Sequence, residues 1–161
     1  AALKRSALSW VAYVTAYPSL PVWVWASLGR FDNGLLVVYL LAGPLALAFH
    51  FVNQLRDYDQ DAAMGIKSLI QRLGKATSVR ACRYLLVIAP VPLLAWGLVS
   101  QTGVSGWVAI FAAVIAYVKL VILVLPQPGP GSPPEGFRTM FQRLQFAGPL
   151  LLLGWILAGQ T

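Results

Sequence analysis

Five stretches of the chain are apolar enough, and long enough, to cross about 30 Å of hydrocarbon, which takes roughly 20 residues of helix. They run over Leu8–Leu28, Leu35–Gln54, Tyr84–Ser100, Trp107–Leu125 and Leu144–Ala158. The last is short, and its helix is expected to begin earlier, near Arg138. Hydrocarbon offers no partner for backbone N–H and C=O groups, so spans of this kind fold as helices. The sequence therefore predicts an all-α, multi-pass transmembrane helical bundle that forms one region over residues 1–161. Composition agrees: 58% of the 161 residues are hydrophobic and 11% are charged, against roughly 25% charged in a soluble domain. Pro18, Pro21, Pro44, Pro90 and Pro92 fall inside the spans and are expected to kink them. Cys82 is the single cysteine, which excludes an internal disulfide. Ala1–Ala7 carries two cations but no cleavable-signal pattern, so Leu8–Leu28 reads as a mature span.

The net charge of +7 would suggest nucleic acid in a soluble protein. Here the cations lie between apolar segments, so lipid headgroups and topology explain them, and no nucleic-acid partner is expected. Lys4 and Arg5 precede the first span, and Arg30 and Asp32 cancel in the next loop. The stretch from Arg56 to Arg83 is strongly basic, Gln101–Gly106 is uncharged, and the following loop holds Arg138 and Arg143. Every second loop is basic, which predicts an N-terminus and a 56–83 loop on the cytoplasmic side of a cell membrane. Lys119, near the cytoplasmic end of the fourth span, is expected to snorkel. Gln127–Pro134, rich in proline and glycine, reads as a flexible linker without chemistry.

Acidic residues are scarce, and three of the five fall at Asp57, Asp59 and Asp61, where the second span ends. Carboxylates at the edge of a bilayer are costly and mark a functional site by default. Asn53, Asp57 and Asp61 are spaced i, i+4, i+8 and form one stripe of a helix, while Asp59 points about 200° away from Asp57. Amide and carboxylate oxygens are hard ligands that suit Mg²⁺, which is held by one or two carboxylates together with substrate phosphates. Lys67 and Arg72 follow closely, so a metal–diphosphate site is a reasonable reading. A calcium loop starting at Asp57 is excluded, because Ala62 stands where glycine is needed and Ser68 where glutamate is needed. A transporter pathway lacks an acidic residue in any other span, and a solvated helix end without function is the remaining alternative.

The run Asn53-x-x-x-Asp57-x-x-x-Asp61, followed by Gly65-Ile66-Lys67-Ser68-Leu69 and Arg72-Leu73-Gly74, resembles the second aspartate-rich motif of the UbiA superfamily of intramembrane prenyltransferases. Leu3-Lys4-Arg5 resembles the basic end of that family's YxxxK element. The resemblance implies Mg²⁺ on Asp57 and Asp61 with Asn53 in support. It implies diphosphate contacts from Lys67, Arg72 and Arg56, and further roles for Asp59 and Lys4. The substrates implied are a polyprenyl diphosphate and an aromatic acceptor. The diphosphate leaves, the allylic C–O bond ionises, and the acceptor attacks the carbocation inside an apolar bundle that excludes water. Gly65-Ile66-Lys67-Ser68 resembles the hydroxybenzoate-type enzymes and Asn53-x-x-Arg56-Asp57 the dihydroxynaphthoate type, which favours a quinone-pathway acceptor. Asp61-x-Ala63-Met64-Gly65-x-x-Ser68-Leu69 resembles the chlorophyll synthase type, the alternative acceptor class.

Family members have two similar halves in a nine-helix fold, each with one aspartate-rich motif. This chain has one motif, so it is expected to correspond to the C-terminal half. Activity is then expected to need an N-terminal half, in the same or a separate chain. A non-catalytic membrane subunit or a transporter are the competing readings. His50, about two turns before Asp57, is expected to be a hydrogen-bonded interior residue. Tyr13, Tyr17, Tyr39 and Tyr58 could line an acceptor pocket or serve as packing.

Overall fold

A computed structural model describes residues 8–31 and 33–159. Lys4, Arg5 and Asp32 lie outside the described residues. Among those described the fold is helical throughout, without strands. The helices are α1 (Ser9–Ser27), α2 (Val37–Arg56), α3 (Tyr58–Ala63), α4 (Leu69–Leu73), α5 (Lys75–Ile88), α6 (Val91–Val99), α7 (Val104–Lys119), α8 (Pro134–Leu144) and α9 (Ala147–Ala158). A single 3₁₀ turn, Asn33–Leu36, leads into α2, and a π-helical turn, Leu120–Val124, continues α7.

Four helical runs are long and apolar enough to cross a membrane by length and composition: Val37–Arg56, Lys75–Val99, Val104–Val124 and Pro134–Ala158. The chain is a multi-pass helical bundle. The first expected span is also a helix, α1, 19 residues long. Its Ser, Thr, Tyr and Pro content keeps it less apolar than the other four.

Two span boundaries differ from the sequence reading. The third run begins at Lys75 rather than Tyr84, so Lys75, Arg80 and Arg83 are helical residues and not loop residues. The reason is local: Gly74, at φ +80°, separates α4 from α5, and nothing between Lys75 and Ile88 interrupts helix. The fifth run begins at Pro134, where proline suits the first turn because its missing N–H has no intrahelical partner to lose.

Pro18, Pro21 and Pro44 lie inside unbroken helices. Ala89–Pro90 divides the third run into α5 and α6. Pro90 has no N–H to give the carbonyl of Leu86, four residues earlier. The buried hydroxyl of Tyr117, on α7, donates to that carbonyl at 2.7 Å. A donor from another helix thus replaces the one proline removes, and α7 is tied to α5.

Helix α2 is the hub. It packs against α1, α5, α8 and α9, while α7 lies along α9. Leu41, Leu45, Phe49, Val52 and Leu55 of α2 are buried with Val79 and Leu86 of α5 and Phe137, Met140 and Leu144 of α8. Cys82 is buried in the same core, with Sγ 3.9 Å from the carbonyl of Ala48. Close approach of α7 and α9 depends on Gly154: a Cβ there would sit 2.4 Å from Cβ of Ala113.

The 127–134 segment is more restrained than its composition suggests. Arg83 Nη2 donates to the carbonyls of Gln127 and Pro128 at 3.4 and 3.3 Å. Ser132 Oγ accepts from the N–H of Gly129 at 2.9 Å, and Arg143 Nη1 donates to the carbonyl of Val124 at 2.7 Å. Proline cannot donate and leaves free carbonyls, and the two arginines use carbonyls on either side of Leu125. The expected linker is a loop held at these points.

Candidate functional site

The aspartate cluster forms where α2 stops. Asp57, at φ −97° and ψ 8°, is the joint between α2 and α3. The N–H of Asp61 still reaches the carbonyl of Asp57 at 2.8 Å, so the one-turn spacing of the two carboxylates survives the joint. The expected continuous stripe is therefore two helical pieces meeting at one of its own members.

The glycine of Gly65-Ile66-Lys67-Ser68 has a physical reason. At φ +67° it adopts the left-handed conformation that only glycine takes without cost. The N–H of Ile66 then bonds the carbonyl of Asp61 at 2.9 Å and that of Gly65 the carbonyl of Ala62 at 3.0 Å. This pair of bonds ends α3 at Ala63, two residues after Asp61, and turns the chain back. Ile66 is buried beneath the turn. Ser68 then caps α4, its Oγ accepting from the N–H of Gln71 at 3.4 Å. Gln71 returns to the start of α3, with Nε2 donating to the carbonyl of Tyr58 at 2.6 Å. The two short helices are thus clamped together beside the carboxylates.

The charged groups sort by environment. Arg56 Nε and Nη2 donate to Oδ1 and Oδ2 of Asp57 at 2.9 and 3.0 Å, a two-pronged ion pair. The same guanidinium stands 5.9 Å from the ring centre of Phe141 on α8. Asp61 is buried, with 1% of its surface exposed. Asp59 points elsewhere, its side chain 70% exposed, and pairs with Lys75 Nζ at 3.1 Å. Lys75 also lies 5.7 Å from the ring centre of Tyr58. Lys67 and Arg72 are exposed on the loop and on α4. Asn53, half-buried, donates from Nδ2 to the hydroxyl of Tyr13 at 2.6 Å.

Below Asn53 an apolar groove of about 330 Å³ opens between α1, α2 and α9. Leu41, Leu45 and Phe49 line it from α2, Tyr17, Pro18 and Pro21 from α1, and Gly148 and Leu152 from α9. Phe49, at the groove's inner end, and Asn53 are one turn apart on α2, so the groove ends beside the polar cluster, although Leu41 itself stands on another face. Aromatic rings bridge the two regions: Phe49 stacks on Tyr17 with centroids 5.3 Å apart, and Tyr17 on Tyr13 at 5.6 Å. Phe141 meets Phe49 edge-on at 5.5 Å. His50 is fully buried, its Nε2 3.3 Å from Oγ of Ser9.

The donor set fits Mg²⁺ of the shared kind. Asn53, Asp57 and Asp61 offer hard oxygens one turn apart, and Mg²⁺ commonly takes one or two carboxylates and completes its shell with water and phosphate. The described residues do not gather three His, Cys, Asp or Glu side chains into a protein-only cage. Asn53, Asp57 and Asp61 could hold such an ion only together with other ligands.

Sequence reasoning did not reach Phe49, Phe141, Gln71 or the pairing of Lys75 with Asp59. Each acts between separate helices and carries no local signal.

A model of the UbiA prenyltransferase family matches residues 1–141. No curated protein and no solved structure gives a significant match.

Proposed function

We propose that this chain, which belongs to the UbiA prenyltransferase family, transfers a polyprenyl group from its diphosphate to an aromatic acceptor. The observation that carries the reading is the aromatic link between groove and polar cluster: Phe49 stacks on Tyr17, Tyr17 on Tyr13, and the Tyr13 hydroxyl accepts from Asn53. An apolar groove bounded by Leu41, Leu45 and Phe49 on α2 ends one turn before Asn53. A prenyl diphosphate has the same polarity, an apolar tail joined to a highly charged head.

Asn53, Asp57 and Asp61 would hold Mg²⁺, and the metal would neutralise charge on the diphosphate oxygens. Lys67 and Arg72, both exposed, would meet the outer phosphate. Arg56 already binds a carboxylate with its fork and can share it with a phosphate, whose geometry matches. Asp59 is better suited to anchoring Lys75 than to ligation. In the reaction the allylic C–O bond breaks, its electron pair leaves with diphosphate, a carbon of the acceptor bonds to the prenyl carbon, and the acceptor loses a proton. The groove walls keep water from the cation.

A quinone-type acceptor, a cytoplasmic aspartate loop and a need for a second aspartate-rich motif from elsewhere in the polypeptide or from another chain complete the proposal. The test is prenyl transfer in lipid vesicles by this chain together with the polypeptide that carries the second motif, given a polyprenyl diphosphate, 4-hydroxybenzoate or dihydroxynaphthoate, and Mg²⁺. Asp57→Ala and Asp61→Ala are each expected to lower turnover by about 10²-fold or more, the scale of a lost stabiliser of developing charge. Normal turnover in both variants would overturn the assignment.

A further inference from the structure

The two ends of the Asn53 amide are chemically different: its nitrogen only donates, and its oxygen only accepts. A hard cation can use the oxygen alone. In this structure the nitrogen is committed, because Nδ2 donates to the Tyr13 hydroxyl at 2.6 Å. That commitment leaves Oδ1 for a cation.

Tyr13 is itself held on two sides. One face stacks on Tyr17, with centroids 5.6 Å apart and planes 22° from parallel. His50 meets it at 5.0 Å and 62°. His50 is fixed in turn by Ser9, 3.3 Å from Nε2. Tyr17 lines the groove and stacks on Phe49, another groove residue. The hydroxyl that receives the Asn53 amide is therefore supported by the exposed ring of Tyr17 and the buried ring of His50, and is connected to the groove wall.

We propose that Tyr13 is a positioning residue for Asn53, fixing the amide so that its oxygen faces a divalent cation at the aspartate cluster. Asn53 and Tyr13 are 40 positions apart and lie on different helices. The proposal rests on the reading above that Asn53, Asp57 and Asp61 take Mg²⁺ with a diphosphate. The outer partners that orient metal ligands commonly contribute about 10- to 100-fold to metal affinity. Tyr13 acts on one neutral ligand among charged ones, which places it at the low end.

The experiment titrates Mn²⁺, in place of Mg²⁺, into the full chain with inorganic pyrophosphate and follows bound metal by electron paramagnetic resonance. Tyr13→Phe keeps the ring and its stacking but removes the acceptor. It is expected to weaken binding of Mn²⁺ with pyrophosphate about 10-fold. In an Asn53→Ala background the same change is expected to have no further effect. In an Asn53→Asp background it is expected to have little, because a carboxylate presents an oxygen whichever way it turns. Thermal unfolding of each variant separates a lost ligand from a lost fold. Wild-type affinity in Tyr13→Phe, while Asp57→Ala is weakened, would overturn the role of Tyr13 and leave the metal reading standing. An equal loss from Tyr13→Phe with and without Asn53 would also overturn it, by showing that the ring acts on packing. Wild-type affinity in both Asp57→Ala and Asp61→Ala would overturn the metal reading and this proposal with it.

Discussion

Arg56 meets both carboxylate oxygens of its sequence neighbour Asp57, at 2.9 Å from Nε and 3.0 Å from Nη2. The pair closes α2, and about a quarter of each side chain is exposed (29% and 25%). A pair of this exposure is worth up to about 1 kcal/mol. On the proposed function, the guanidinium and the metal share the same oxygens.

Arg56→Gln removes that competitor. Binding of Mn²⁺ alone is expected to tighten, by up to about 5-fold if the full 1 kcal/mol is released. Pyrophosphate binding with Mn²⁺ is expected to weaken, because a fork that fits phosphate has gone. Calorimetric titration of the two cases distinguishes them, and a change of the same sign in both would contradict the sharing.

Gly65 ends α3 at φ +67°, and a Cβ there would meet nothing within 4 Å. The cost of a side chain is then conformational alone. Gly65→Ala is expected to destabilise by about 1–2 kcal/mol, the left-handed penalty for an L-residue. Gly65→Asn is expected to cost less, since asparagine tolerates that conformation. Thermal unfolding in detergent gives the order, and asparagine worse than alanine would refute it.

The bond from Tyr117 to the carbonyl of Leu86 depends on the absent N–H of Pro90. Tyr117→Phe leaves a buried acceptor without its donor and is expected to cost about 1–3 kcal/mol. Replacing Pro90 with alanine restores an N–H four residues after Leu86. In that background Tyr117→Phe is expected to cost much less. Equal losses in both backgrounds would show that the hydroxyl does not stand in for the proline.

Ala42 lines the groove from α2, one turn from Ala46. Ala42→Phe fills part of the groove. It is expected to raise KM for long polyprenyl diphosphates by about 10-fold or more, the equivalent of about two buried methylenes lost in total. Dimethylallyl diphosphate, which does not reach that depth, is expected to be used as before. Equal impairment for short and long donors would separate the groove from the tail.

The aspartate stripe was legible because helix periodicity is local: residues four apart share a face whatever surrounds them. The same rule set Asp59 apart, and it pairs with Lys75. Gly65 was visible as a motif member, but its purpose was not. That purpose is the pair of backbone bonds to Asp61 and Ala62, which exists only once α3 has formed. Lys75–Arg83 was read as loop because it is charged, yet one face of α5 buries Val79 and Cys82 while the cations stay outside.

Sequence alone determined that this is a multi-pass helical bundle, because an apolar run must bury its side chains and satisfy its own backbone. It also determined the aspartate stripe and the family, through residues within one short run. Only tertiary structure decided that Tyr13 meets Asn53, that Tyr17 and Phe49 join the groove to the carboxylates, and that Gly154 admits Ala113. These contacts join helices far apart in the chain. Packing of whole helices sets such distances, and no local pattern of residues encodes them.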